Sequence, residues 1–461
     1  LLGRSTHDLD FVTAGDALQV GRQVARALKA AFYVLDQERA TARVVLQPAG
    51  GQRSYLDFAR QRGPDLESDL RARDFTVNSM AVQVDAPQAL LDPLGGARDL
   101  AARQLRACTA ASLEDDPVRI LRGVRLAVAY RLHIQPETRR WMRQSLPGLG
   151  RTSMERLRDE LFRCLEGARP AAALRALDAL EAMPYLLPEL PAMKGVAQSL
   201  PHTVDVWAHT LRVLDDLERI LAVLLPGFDT DVAANLTHGQ AALRLGRFRE
   251  RISAHLSFPL VPERGLRSLL FLAALYHDSG KPQTAQVAPA GRIRFPRHDQ
   301  AGADIVAGRA RALRLSNLEC ERLQLIVRHH MRPIWLARSI RLPSRRAIYR
   351  FFRDTGPAGV DVCLLSLADV TATCGAALPP ALWNNHLDVV RALLEAWWDQ
   401  AEQIVSPPVL LNGNDLMREF GLQPGRRIGE LLQALREAQA VGQVATRQEA
   451  LDFLKSWLGE D

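Results

Sequence analysis

The hydrophobic pattern of this chain changes period once, near Leu113, and that change limits the folds open to it. Up to residue 112, short β-branched and aromatic runs (FVTA, FYVLD, ARVVLQ, TVNSMAVQV) surround a single helical stretch at 15–30. The turn sequences GGQRS (50–54) and DPLGG (92–96) separate them. Beyond Leu113, apolar residues recur at helical spacing almost without interruption, as in 117–130, 153–166 and 170–182. The expected fold class is therefore α+β, with a small α/β head followed by all-helical domains. The proline-rich MPYLLPELPAMKG (183–195) reads as a linker, and HTVDVWAHTLRVLDDL (202–217) opens a second helical domain that runs to about residue 375. Within it, the polar, irregular 228–265 is expected as an insertion or long loop. SPP (406–408) precedes a helical tail. With 461 residues the chain exceeds what one core can organise, so two to four modules are expected.

Hydrophobic content of 47% and charged content of 24% are those of a globular protein. The net charge of +7 comes from 59 basic against 52 acidic residues. Most of the excess is arginine, which suits phosphate through its planar fork and suits a GC-rich genome equally well. Five cysteines (108, 164, 320, 363 and 374) are scattered without a Cys-x-x-Cys, which argues for a reducing, cytoplasmic compartment and against a thiolate zinc site. A run of about twenty apolar residues is not expected, and no membrane partner with it.

The chemistry-bearing residues come as a series. Asp8 and Asp10 in HDLDFV point to one side of a strand, because side chains alternate, and such a pair is a natural seat for two Mg²⁺ ions that clamp a phosphoryl group. Asp57, in RSYLDFARQRG on a neighbouring strand, is either a third carboxylate or a structural one. RARDFTVN (71–78), LDPLGGARDL (91–100) and EDDPVRILR (114–122) follow. In the last, Pro117 suits a helix start, and Asp116 and Arg119, three apart, are neighbours on one helical face. A carboxylate that accepts and a guanidinium that donates can together mimic the hydrogen-bonding edge of a base. The same spacing also fits a helix cap with a surface ion pair worth under about 1 kcal/mol. Further on, His209 (VWAHTL), His277-Asp278 (LYHDSGKP) and Asp369 (LSLADV) lie in helical apolar stretches. Imidazoles and carboxylates gathered in this way make a divalent-metal site able to activate water against a phosphate ester. Lys281 can steady a phosphate. His298 (RFPRHD) and His330 (VRHHMRP) are either ligands of a second metal or satisfied core residues.

This order of motifs resembles the class II tRNA nucleotidyltransferases and the related bacterial poly(A) polymerases along nearly the whole chain, including the segment 410–454. The resemblance implies four parts: a polymerase-β-like head at 1–112, a helical neck at 113–195, an HD domain at 196–375 and an RNA-binding tail at 376–461. It implies template-independent addition of CCA, or part of it, to tRNA 3′ ends from CTP and ATP, with Mg²⁺ on Asp8 and Asp10. Arg73 would then pair with phosphate or with Asp74, Asp74 take the ribose hydroxyls and Asn78 brace the turn. Asp116 and Arg119, with Arg122, would form the protein template that selects the base. Arg156 and Arg158, in SMERLRDELFRCLEG (153–167), would meet the triphosphate or support the template helix. His209, His277, Asp278 and Asp369 resemble the ligand set of HD phosphohydrolases, whose metal the sequence does not identify. Arg426, Arg427 and the arginines of 338–353 would contact the tRNA backbone. Poly(A) or A-only addition is a close alternative. A metal-dependent HD phosphohydrolase with an inert head, or a non-catalytic RNA-binding protein, is a more distant one. There are two departures from the family. Ala72 replaces the first of two adjacent arginines, with Arg71 as a substitute. The family's Gly-Gly-x-Val-Arg-Asp turn falls just before Leu1-Leu2-Gly3-Arg4, so the chain reads as a fragment that lacks its first strand and catalyses poorly.

Overall fold

A computed structural model describes residues 6–47, 53–262, 264–289, 291–339 and 341–459. The opening residues Leu1 to Arg4 and most of the turn read at 50–54 lie outside them. The chain divides into two compact units, Leu1–Thr152 and Ser153–Asp461, a boundary that falls inside the segment expected as the neck.

The first unit is built on a mixed four-stranded sheet of β1 (Asp8–Thr13), β2 (Ala31–Asp36), β3 (Thr41–Leu46) and β4 (Ser54–Arg60), in the order β1-β4-β3-β2. β1 runs parallel to β4, while β3 is antiparallel to both β4 and β2. α1 (Ala17–Ala27) starts where the Asp16 side chain accepts hydrogen bonds from the amides of Leu18 and Gln19. It covers one face of the sheet, where Val44, Leu56 and Phe58 pack with Ala17 and Ala25 and the Phe11 and Phe58 rings stack at 5.0 Å.

Beyond the sheet, one expectation is corrected. TVNSMAVQV does not form a strand: Thr76–Asn78 is a single 3₁₀ turn, and only Ala81–Val82 pairs, with Leu90–Leu91. Strand propensity loses to specific hydrogen bonds. The Thr76 hydroxyl donates to Asp99 at 2.6 Å, and the Thr76 amide donates to the Arg106 carbonyl at 2.9 Å. Arg106 itself grips Asp99 at 2.8 Å. The helix Gly96–Ala101 is capped by Asp92, which accepts from the Gly96 and Ala97 amides. A Cβ at position 96 would stand 2.0 Å from the Thr76 carbonyl oxygen, so only glycine lets this helix approach the turn.

The second unit is almost wholly helical. Its centre is formed by the helices Leu266–Tyr276 and Ala358–Cys374, both buried nearly all round, and by Val206–Leu224, capped by Asp205. Three expectations are corrected here. The segment 183–195 is part of the core and not a linker: Met183, Leu186, Leu187, Leu190 and Met193 are buried. Between them, Glu189 receives the Tyr276 hydroxyl at 3.0 Å and Arg309 at 2.6 Å. The segment 228–265 is not a loop, since it holds the helices Leu236–Leu245 and Arg249–Ser257. Its polar residues are ion-pair partners of the helix Pro380–Asp399, as Arg247 shows with Glu395 at 3.1 Å and Asp399 at 2.9 Å. Finally, Ala358–Ala377 is long and apolar enough to cross a membrane by length and composition, although 72% of that window is buried inside the protein and the helix carries Asp361 and Asp369.

Gly96→Ala is expected to destabilise the first unit by roughly 1–3 kcal/mol, because the added methyl must displace the Thr76 backbone. Urea denaturation followed by tryptophan-independent far-UV circular dichroism checks this. A stability within about 0.5 kcal/mol of the parent protein would show that the turn can yield.

Candidate functional site

Strand register explains how the head carboxylates come together. Leu56 and Phe58 face α1, so Asp57 between them faces the open side. In the parallel pair, Asp10 lies beside Asp57 and Asp8 beside Tyr55, so all three aspartates share the open face. Asp8 and Asp10 are solvent-exposed oxygen donors, the type that Mg²⁺ prefers. Asp57 is engaged otherwise. Arg43, its neighbour on β3, donates from Nε to Oδ1 and from Nη2 to Oδ2, both at 2.8 Å. Those bonds, with Asp8 nearby, hold the guanidinium above its ordinary pKa.

The RARDFTVN turn forms a second cluster. Asp74 is buried and accepts from its neighbour's amide at Phe75 (2.8 Å) and from the Asn78 side chain (3.2 Å). Its other oxygen receives Arg122 Nε at 2.6 Å. The pairing of Arg73 with Asp74 is therefore corrected: Arg73 pairs with Asp69 at 3.3 Å, and Arg122 takes the place beside Asp74. Arg119, at the start of the helix Arg119–Tyr130, stands 3.9 Å from Asp116. Its Nη1 donates to the Ser112 carbonyl at 3.0 Å and the Ala72 carbonyl at 3.3 Å. The departure at position 72 leaves this anchor intact, because Arg119 uses the backbone there.

The remaining arginines sit in the second unit. Arg156 is exposed on the helix Met154–Glu166. Arg158 donates to Asp159 at 2.8 Å and to the Arg314 carbonyl at 2.9 Å, both within the second unit. In the tail, Arg426 pairs with Glu430 at 2.9 Å, and Arg427 lies over the Trp457 ring at 4.6 Å. Arg346 and Arg350 share Glu437, at 3.1 and 2.7 Å.

The HD residues converge, and with them the two histidines read as optional ligands. Asp278 is 1% exposed, and one of its oxygens lies 3.2 Å from His277 Nε2 and 3.6 Å from His209 Nε2. The other lies 3.5 Å from His298 Nε2 and 4.0 Å from His330 Nε2. His209 Nε2 also lies 3.1 Å from Asp369. The tautomers follow from geometry. His277, His298 and His330 each turn Nδ1 to the carbonyl three residues earlier, at 2.7, 2.8 and 2.7 Å. Nδ1 must therefore be the protonated nitrogen, which directs the Nε2 lone pair inward. All three Nε2 atoms are buried without a hydrogen-bond partner, an arrangement that a bound cation completes. Two ligand sets, His209–His277–Asp278 and Asp278–His298–His330, are compact enough to hold ions, with Asp278 common to both. Burial pushes His330 down to about 3 and keeps it neutral. Burial would raise Asp278, but the Lys281 ammonium beside it lowers it and helps to hold the carboxyl ionised. Lys281 Nζ is shared between Asp278 and Gln198, at 2.7 Å each.

A cavity of about 400 Å³ opens on this cluster. Its lining includes Arg292, Arg294 and Arg338, and also His202, whose ring meets the edge of His209 with centroids 4.7 Å apart. Sequence reading missed His202, Arg292 and Arg294, and read Arg338 as a contact to the tRNA backbone. The signal for His202 was its place seven residues before His209 in the same stretch. Arg292 and Arg294 stand at a short hairpin that no pattern singles out.

The sequence matches known domains. The poly A polymerase head domain matches residues 1–106, and the Probable RNA and SrmB-binding site of polymerase A matches 131–193. The HD domain matches 206–374, and tRNA nucleotidyltransferase domain 2 matches 388–454. The chain is thus a nucleotidyltransferase, and both the head and the HD domain imply dependence on divalent metal. The chain is 32% identical to the A-adding tRNA nucleotidyltransferase of Deinococcus radiodurans, over 100% of this chain and 93% of that protein. It is also 32% identical to the CC-adding enzyme of Geobacter sulfurreducens, over 98% and 88%. A solved apo structure of a CCA-adding enzyme shares the fold with a TM-score of 0.61 at 21% identity, over 99% of this chain and 87% of that one. The chain belongs to the class II CCA-adding tRNA nucleotidyltransferase family.

After dialysis and re-equilibration with Mn²⁺, His277→Ala is expected to lose the metal of the helical unit, whereas Asp8→Ala keeps it. Plasma mass spectrometry of the gel-filtered proteins reads the difference, and equal metal in His277→Ala and the parent protein would refute the helical-unit assignment.

Proposed function

We propose that this enzyme adds CCA, or part of it, to tRNA 3′ ends from CTP and ATP, in the cytoplasm. The observation that carries the reading is the common open face of Asp8 and Asp10, set by the β1–β4 register. The RNA 3′-hydroxyl oxygen attacks the α-phosphorus of the incoming nucleotide, the bond to the β-phosphate breaks, and pyrophosphate leaves. Asp8 and Asp10 hold the metal positions. Mg²⁺, when bound there, neutralises the developing phosphoryl charge and makes the attacking hydroxyl more acidic. Arg119, anchored on two carbonyls, presents its remaining donors beside Asp116, which accepts, and together they read the edge of the base. Asp74, tied to Asn78 and Arg122, keeps the adjoining turn in place. The head would span 1–112, the neck 113–195, the HD domain 196–375 and the RNA-binding tail 376–461. The named relatives divide between A-adding and CC-adding enzymes, which supports tRNA as the acceptor and makes the added nucleotides the open variable. Five free cysteines accord with a reducing compartment.

A second activity is favoured by the inward Nε2 atoms around Asp278: hydrolysis of a phosphate ester in the adjoining cavity. A divalent ion there would activate water. Lys281 and the lining arginines would hold the phosphate. Ring opening of a 2′,3′-cyclic nucleotide to its monophosphate, or release of phosphate from a 3′-phosphorylated one, lost in His277→Ala, would establish it, and neither reaction at any divalent ion tested would dismiss it.

The deciding assay supplies a tRNA transcript that ends at its discriminator base with CTP and ATP, singly and together, and resolves products at single-nucleotide length. Asp8→Ala should abolish incorporation while leaving tRNA binding nearly intact, and retained incorporation would remove the metal assignment. Arg119→Ala should relax CTP over UTP selectivity by roughly tenfold or more, about the worth of a bidentate base contact, before tRNA binding weakens. Unchanged selectivity would overturn the template role.

A further inference from the structure

The open face of the head sheet carries two rows of side chains at right angles to the strands. One row, fixed by strand pairing, reads Tyr33, Arg43, Asp57, Asp10, and the next reads Ala31, Val45, Tyr55, Asp8. The carboxylates occupy one side of this face. The other side is a cavity of about 410 Å³ whose lining includes Lys29, Tyr33, Arg43, Arg53 and Tyr55 and, among the described residues, no carboxylate. Arg43 stands at the junction. It lines the cavity, lies over the Tyr55 ring with 4.9 Å to the centroid, and at the same time occupies both oxygens of Asp57.

This arrangement leaves Asp57 on the metal-binding face yet unable to serve there, because a carboxylate engaged by a bidentate guanidinium has its best lone pairs in use. The cavity has the opposite bias. Three cations and two aromatic rings suit a nucleotide of single-stranded nucleic acid, with the base against a ring and the phosphate among the cations. A phosphate entering beside Arg43 would compete with Asp57 for the same fork, since guanidinium binds phosphate and carboxylate with like geometry.

We propose that Arg43 is a substrate-operated latch. In the free protein it withholds Asp57. When the 3′-terminal nucleotide of the RNA seats in the Tyr33–Tyr55 cavity, its phosphate draws Arg43 away and Asp57 joins Asp8 and Asp10 as the third oxygen donor. The RNA is the occupant because Asp116 and Arg119 already serve the incoming base. The inference rests on the reading of Asp8 and Asp10 as the metal-holding pair, and it makes Arg43 a positioning residue and Asp57 a late-joining ligand.

The test measures metal binding and not turnover. Mn²⁺ is titrated by electron paramagnetic resonance into the full chain alone, with tRNA ending at its discriminator base, and with a non-hydrolysable CTP analogue. Asp8→Asn is run in parallel so that the difference isolates the head. The expected result is an Asp8-dependent Mn²⁺ affinity that rises about tenfold with tRNA, a coupling of ordinary size. Arg43→Gln should bind at the tightened level without RNA and gain nothing from it, whereas Asp57→Asn should stay weak throughout. An unchanged far-UV circular dichroism spectrum and unchanged urea unfolding confirm that the head of both variants folds, since the His277 cluster lies in the other unit. Persistence of the full tRNA-dependent gain in Arg43→Gln would overturn the latch. A gain produced by the CTP analogue and not by tRNA would overturn the assignment of the cavity to RNA. Identical Mn²⁺ binding by the parent protein and Asp8→Asn in every condition would bring down the underlying metal reading, and the latch with it.

Discussion

The helical unit is organised around a single buried charge. Asp278 is held ionised at 1% exposure, where an uncompensated carboxylate is untenable. Lys281 supplies part of the compensation, and the inward Nε2 lone pairs of His277, His298 and His330 create the place for a cation that would supply the rest. His277 and His330 spend their Nδ1 hydrogens on the last turn of the helices before them, and His298 spends its own on the Phe295 carbonyl in the turn that leads into its helix. Geometry of the cluster therefore depends on the integrity of the helices Leu266–Tyr276 and Asn317–His329 and of the turn before His298–Ala312. The bond from Tyr276 to Glu189, and from Glu189 to Arg309, extends that condition to the segment 183–195, one residue away from the metal-facing His277.

The head solves a different problem. Its carboxylates are exposed, so water compensates them, and what the fold contributes is placement. A parallel β1–β4 pair flanked by an antiparallel β3 sets aspartates and an arginine abreast on the uncovered face, while the same alternation sends Leu56, Phe58 and Val44 against α1. The second head cluster depends instead on close approach: Gly96 admits the Thr76 backbone, and Asp99 locks it through Thr76 and Arg106.

Much of this was legible in the sequence, and the failures have physical reasons. Alternation placed Asp8, Asp10 and Asp57 correctly, because it depends only on strand formation. Helical spacing placed His209 and Asp369 in buried helices for the same reason, and His277 one residue past the end of another. TVNSMAVQV misled because Thr76 is held by the Asp99 carboxylate and the Arg106 carbonyl, which propensity cannot see. The segment 183–195 misled because prolines at the first turns of short helices look like those of a linker. Arginine-rich 228–265 looked irregular because its charges answer acidic partners more than a hundred residues on. The pairing of Arg122 with Asp74 was illegible for a related reason: residues 73 and 122 compete for the same acid, and only packing decides which one reaches it.

The anchoring of Arg119 on peptide oxygens has a consequence for how such a chain can drift. A carbonyl is present whatever the side chain, so positions 72 and 112 can exchange residues while the hold on Arg119 stays the same, provided the turn keeps its course. Ala72 is an instance already realised. Specificity is then stored in the shape of the main chain, where comparison of residue identities alone would pass over it.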